Sequence, residues 1–262
     1  MQYYVINAIA AVRKPGVMII CFLVLVITAS SQQYNSDSWL SKPHGMVTLI
    51  PTLGERNSMI MATVSLFPRW EFTVAGYMYN ADNDPLTDDG YSATIYAKYM
   101  FYQNKLETGG AAVKAGTGMF PGTIGGEDRD KDAFKSYWVN FPCTVPFFKN
   151  KVSLDLMPGA SMTINYGQDE TTAWALTYST RVAYYPFDMK WAAVGEVFGN
   201  AGEVKAPPEF KIGVRWEPSQ YAVFALTYGQ EFESQAGAGF EFGIMLFSPP
   251  FACFKGCNGK KK

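Results

Sequence analysis

From residue 45 to residue 247 apolar side chains recur at every second position, segment after segment, with almost no trace of the helical period. Phe210, Ile212, Val214 and Trp216 alternate with Lys211, Gly213 and Arg215. Trp174, Leu176, Tyr178, Val182 and Tyr184 share one face of their segment, and Thr177, Ser179 and Arg181 share the other. Phe240, Phe242, Ile244 and Leu246 interleave with Gly239, Glu241 and Gly243. Trp70, Phe72, Val74 and Met78 interleave with Arg69, Glu71, Thr73 and Tyr77, and Ile95, Ala97, Tyr99 and Phe101 with Thr94, Tyr96 and Lys98. A period of two places successive side chains on opposite faces of a strand. The chain is therefore all-β, with one greasy face and one polar or small face.

Composition narrows the class. Hydrophobic residues make up 48% of the 262 residues and aromatics 16%, but charged residues only 17%, against about 25% in ordinary soluble domains. That much apolar surface excludes a disordered chain. A formal net charge of −1, with no basic stripe, argues against nucleic acid as a partner. A polytopic helical membrane protein is excluded because no second apolar run approaches the roughly 20 residues of a spanning helix.

Residues 1–31 read as a targeting segment. Arg13 and Lys14 precede an apolar run from Val17 to Ile27, and the small residues Thr28, Ala29, Ser30 and Ser31 follow. This is the layout of a cleaved secretory signal; an uncleaved N-terminal anchor is the alternative. Cys21 lies inside the apolar run, so a lipid-anchor signal is set aside. Cleavage removes two basic residues and no acid, and leaves Cys143, Cys253 and Cys257. In an oxidising compartment the close pair Cys253 and Cys257 is the disulfide candidate. These thiols and the lone His44 make a poor ligand set, so neither metal nor other cofactor is expected.

A soluble sandwich or lipocalin-like barrel also alternates, with its greasy face inward. Three features favour a barrel facing lipid. The strands are long enough for a tilted crossing of a bilayer. Aromatics gather near strand ends, at Phe67 and Trp70, Tyr99 to Tyr102, Tyr184 to Phe187, Trp216, Phe247 and Phe251, as girdles at two interfaces require. Connections alternate in length: tight turns at 67–69, 104–108, 186–188 and 217–220, longer polar loops at 80–90, 121–132, 167–171, 198–207 and 229–237. The reading is a transmembrane up-and-down antiparallel β-barrel of about 12 strands, near 46–52, 58–66, 69–79, 91–103, 110–120, 133–142, 151–166, 173–185, 189–198, 208–216, 221–229 and 237–247. An even number puts both termini on the periplasmic side. Pro142, Pro146 and Pro158 disturb ladder pairing unless they sit at turns or bulges; a turn at Pro158 would change the count, so ten or fourteen strands stay open. The chain then divides into the signal at 1–31, a periplasmic segment at 32–44, the barrel at 45–248 and a periplasmic tail at 249–262 carrying the cysteine pair.

The polar face lines the lumen, with Arg69, Glu71, Lys98, Lys114, Asp155, Arg181, Lys190, Glu196, Lys211, Arg215 and Glu241 as candidates. Basic residues outnumber acidic ones in that set, which favours anionic solutes. Mutual pairing of these charges in a plugged interior is the alternative, since small barrels are often filled by side chains. No catalytic residue is singled out, because His44 has no Ser or acid at a spacing that would make it a base. The acidic stretches at 82–90 and 127–132 match no calcium loop and read as solvated turns. The chain is not expected to be an enzyme.

Over residues 45–250 the sequence resembles Gram-negative outer-membrane β-barrels in general. Gly237 to Phe247 resembles the aromatic-ended last strand that the barrel assembly machinery reads, although Ser248 to Lys262 follow it. More weakly, Gly45 to Thr52, followed by a strand and Phe67-Pro68-Arg69-Trp70-Glu71, resembles the start of YjbH-like barrels tied to exopolysaccharide export. The resemblance implies a porin-like protein of the outer membrane. Its expected roles are passive transport of small solutes or export of a polymer, and the alternative is a non-conducting anchor or scaffold that binds partners through its loops or periplasmic rim. Implied partners are outer-membrane lipid, the assembly machinery and other envelope or polysaccharide-export proteins.

Overall fold

The computed structural model describes residues 45–79, 90–118, 136–165, 171–187, 190–203, 206–234 and 237–250. The targeting segment, the segment at 32–44, the acidic stretches, the Cys253 and Cys257 pair and the terminal lysines lie outside these residues. The described chain forms fourteen strand segments: β1 (Met46–Gly54), β2 (Asn57–Phe67), β3 (Trp70–Tyr79), β4 (Gly90–Gln103), β5 (Gly110–Gly118), β6 (Ser136–Asn140), β7 (Cys143–Phe147), β8 (Val152–Leu156), β9 (Gly159–Asn165), β10 (Thr171–Tyr184), β11 (Trp191–Gly202), β12 (Ala206–Ser219), β13 (Ala222–Glu231) and β14 (Gly239–Phe247).

Fourteen segments make twelve staves. Cys143 opposes Leu156 in the β7–β8 pair, and Asn140 opposes Gly159 in the β6–β9 pair, so one register line runs unbroken through both. The outer neighbours agree: β5 pairs with both β6 and β7, and β10 with both β8 and β9, each without a register shift. Two prolines cause the interruptions. Phe141 N–H donates to the Pro158 carbonyl at 2.9 Å, and Ala112 N–H to the Pro142 carbonyl at 2.9 Å. Neither proline has an N–H to return the bond. Pro158 is thus a gap inside a stave and not a turn, which keeps the count at twelve.

Every neighbouring pair is antiparallel, and β14 pairs with β1 to close the wall. Closure removes the free edges that an open sheet would expose. Both ends of the described barrel lie at one rim, together with the connections at 68–69, 104–109, 148–151, 185–190 and 220–221. The opposite rim carries the link at 55–56 and the strand ends at Tyr79 and Gly90, Gly118 and Ser136, Asn165 and Thr171, Gly202 and Ala206, and Glu231 and Gly239. The strands meet the first rim at the expected tight turns, and the strand ends that flank the expected long loops lie at the second. Two expectations shift. β11 and β12 run further than the sequence suggested, which shortens the loop at 198–207 and turns Glu217 from a turn residue into a strand residue. The β1–β2 link joins the long-loop rim with only two residues, 55 and 56.

The greasy face points outward. Leu53, Val74, Ile95, Leu176, Ile212, Val214 and Leu226 are all at least half exposed on the outer wall. Aromatics band both ends. Trp70 packs on Tyr99 with ring centroids 4.8 Å apart, and Trp191 on Trp216 at 5.6 Å, near the terminal rim. Phe210 meets Phe232 at 5.2 Å and Tyr228 meets Phe240 at 5.0 Å near the loop rim. An apolar outer band between two aromatic girdles is the arrangement of a barrel made for a bilayer. The last strand adds a detail: Phe247 faces inward, packed with Met46 and Val223.

Candidate functional site

The inner wall holds the charges. Glu71 on β3, Lys98 on β4, Lys114 on β5, Asp155 on β8, Arg181 on β10, Glu196 on β11, Lys211 and Arg215 on β12 and Glu241 on β14 share the inward phase of their strands. Two of the expected lumen residues lie elsewhere. Arg69 is exposed in the β2–β3 turn, with a left-handed backbone at φ 68°. A two-residue hairpin turn needs positive φ, so the residue preceding Trp70 belongs to the turn and not to the alternation. Lys190 stands just before β11, half-buried at the rim, where its carbonyl accepts the Glu217 N–H at 2.7 Å.

Strand register orders the rest. Asp155, Arg181, Glu196 and Lys211 are successive cross-strand partners on β8, β10, β11 and β12. Signs therefore alternate around the wall, and directly opposed residues are close enough to interact. Arg181 Nε lies 3.8 Å from Asp155 and 3.9 Å from Glu196. Lys211 opposes Gly229, and its amine reaches past that glycine to Glu241 on β14 at 2.5 Å. A Cβ at position 229 would stand 3.4 Å from Lys211 Cε, so the missing side chain makes room for the reach. Hydroxyls add hydrogen bonds to these carboxylates: Thr144 donates to Asp155 at 2.5 Å, Ser179 to Glu196 at 2.6 Å and Thr227 to Glu241 at 3.4 Å.

A second group lies on the other side of the sheet order. Glu71 and Lys98 are cross-strand partners and form an ion pair. Lys98 in turn opposes Lys114. The Lys114 amine sits 5.5 Å from the Tyr96 ring centroid and 5.9 Å from that of Trp138, a cation–π position on both rings. Gly116 permits this, since a Cβ there would lie 2.8 Å from the Trp138 ring. Near the terminal rim Glu217 accepts from Arg215 Nε and from the Tyr185 hydroxyl, both at 2.8 Å. Burial raises the Tyr185 phenol above its ordinary pKa, with Arg215 opposing and Glu217 reinforcing the shift, so the hydroxyl stays a donor.

Three inward acids were missed: Glu209 and Glu217 on β12 and Glu231 on β13 are all buried. Glu209 and Glu217 continue the phase of Lys211, Gly213 and Arg215; Glu209 lies inside the expected strand at 208–216 and was passed over, whereas Glu217 and Glu231 lie beyond the expected strand ends. With them, the inward strand positions carry five basic residues (Lys98, Lys114, Arg181, Lys211, Arg215) and seven acidic ones (Glu71, Asp155, Glu196, Glu209, Glu217, Glu231, Glu241). The expected basic excess is reversed among the described residues, and with it the ground for an anionic solute. No group of three or more His, Cys, Asp or Glu side chains among the described residues is arranged to hold a metal ion.

No protein-family model matches the chain, and no curated protein matches it. Among solved structures it is similar to the COG4313 outer membrane channel from Pseudomonas putida F1, with a TM-score of 0.52 and 10% identity over 82% of this chain and 99% of that one. Two others align less closely. Salmonella typhi OmpF in complex with daunomycin gives a TM-score of 0.31 and 12% identity, over 72% of this chain and 60% of that one. A bacterial polysaccharide outer membrane secretin gives 0.36 and 8%, over 79% and 99%. The first alignment shows the fold: this chain is a twelve-stranded barrel of the kind found in outer-membrane channels. The resemblance to YjbH-like barrels has no family model behind it.

Proposed function

We propose that the chain is an outer-membrane β-barrel that passes small polar or charged solutes through its lumen, with both termini at the periplasmic rim after removal of a signal at residues 1–31. One observation carries this reading: the wall is apolar outside and lined inside by a continuous ladder of alternating charge from Asp155 to Glu241. A soluble barrel gains nothing from such an inversion. Lipid does, because every backbone group in it must be paired internally, as closure pairs them here. Charged rings in a pore wall bias which solutes pass. Small solutes suit this lumen better than a polymer such as an exopolysaccharide, which would need a wide path clear of the ladder. The likeness in fold to the COG4313 outer membrane channel supports a role in passage and not in catalysis.

A second reading keeps the membrane and drops the transport. Lys98, Glu71, Asp155 and Glu241 are each almost fully buried, as charges that plug a barrel would be. The barrel would then be an anchor or scaffold whose loops or rim bind envelope partners. Planar-bilayer conductance of the refolded, heat-modifiable protein separates the two. Stepwise single-channel currents are the expected result. A folded barrel that gives no current, with none appearing on Arg215→Ala, would leave the scaffold reading standing.

A further inference from the structure

We propose that Arg181 sets the charge selectivity of the lumen by screening two carboxylates at once. The inference rests on the reading of the barrel as a solute channel. Three other cations of the inner wall are held close to one carboxylate, Lys98 to Glu71, Lys211 to Glu241 at 2.5 Å and Arg215 to Glu217 at 2.7 Å, and Lys114 lies over the Tyr96 and Trp138 rings. Arg181 is placed differently. Its Nε lies 3.8 Å from Asp155 and 3.9 Å from Glu196, nearly equidistant between them. Each of those carboxylates gives an oxygen to a hydroxyl instead, Asp155 to Thr144 at 2.5 Å and Glu196 to Ser179 at 2.6 Å. The guanidinium charge is therefore shared between two acids. The Arg181 side chain keeps 17% of its surface accessible and Lys211 19%, against 2% for Lys98.

Position makes this charge decisive. Acids already outnumber bases on the described inner wall, and Asp155, Arg181 and Glu196 are direct cross-strand neighbours. A neutral residue at 181 leaves two carboxylates facing a gap where a cation stood. Two negative charges on one stretch of a low-dielectric wall make the local potential more negative, which concentrates cations and repels anions. Arg181 thus holds the lumen near balance, and its loss turns the barrel toward cations.

The test is the potassium-to-chloride permeability ratio, read from reversal potentials in a KCl gradient across planar bilayers containing the full chain. Arg181→Gln is expected to raise the ratio about threefold or more, and Glu196→Gln to lower it. The double variant is expected to return close to the wild-type value, which a merely structural role for Arg181 would not produce. Arg69→Gln, in the exposed turn, leaves the ratio unchanged. Conducting Arg181→Gln barrels with an unaltered ratio overturn the proposal; if that variant does not fold, an unaltered ratio in Glu196→Gln overturns it. Absence of current from the folded wild-type barrel is a different result, and overturns the channel reading together with this one.

Discussion

Lys98 carries a charge, yet its side chain is only 2% exposed and is bonded to an equally buried Glu71. Taking two charges out of water costs about as much as their attraction returns, but removing one partner strands the other. Lys98→Met is therefore expected to destabilise the barrel by about 3–5 kcal/mol. A Lys98→Met/Glu71→Leu double variant should recover most of that loss. Urea unfolding in detergent micelles, followed by the shift in midpoint, measures both. If the single and double variants are equally unstable, the ion pair is not the source of the cost. The same residue illustrates what a sequence yields directly: Lys98 falls on the polar phase of an alternating segment, so its inward direction was readable. Its partner was not, because pairing depends on register between strands, which alternation alone does not fix.

Strands were legible where alternation was clean and blurred where proline broke it. Trp70–Tyr79 and Thr171–Tyr184 came close to their expected bounds because large apolar residues mark every second position. The stretch from Ser136 to Asn165 was ambiguous, since Pro142 and Pro158 each remove a ladder donor and a proline in a strand ordinarily signals an edge or a turn. Here Pro142 faces Ala112 and Pro158 faces Phe141, so both gaps fall inside paired staves. Pro158→Ala restores an N–H opposite the Phe141 carbonyl. It is expected to leave the fold intact and to add at most about 1 kcal/mol, the net worth of one hydrogen bond. The unfolding midpoint should hold or rise slightly; a clear fall would mean that the proline constraint itself stabilises the stave. β12 shows the opposite error. Its inward phase runs on to Glu217, but Pro218 made that end of the strand read as a turn.

The inner wall of the molecule combines apolar clusters with charged groups. Ile50, Met61, Ala75 and Tyr77 on β1 to β3 pack together with Met59 and Met245, and the Tyr96 hydroxyl donates to Met61 Sδ at 3.7 Å, joining this group to Trp138 and Met157. The ladder of charge runs from β8 to β14, and Glu71, Lys98 and Lys114 set a second charged group on β3 to β5 beside the apolar cluster. The sequence shows both sets of residues but not their places around the wall, because circumferential position follows only from the closed strand order. What it did supply was the direction of the greasy face. With only 17% charged residues, the chain has enough for a lumen and its loops and none to spare for an outer coat. The central claim is that the apolar face meets lipid and the charged face meets the lumen. The most direct check is a single-cysteine scan of Trp174 to Tyr184 in an otherwise cysteine-free barrel reconstituted in vesicles, with a fluorophore at each site quenched by nitroxide-labelled lipid. Strong quenching at 174, 176, 178, 182 and 184, and weak quenching at 175, 177, 179, 181 and 183, is the predicted result. Uniform weak quenching along the strand would contradict the account, because it would put the greasy face somewhere other than in the membrane.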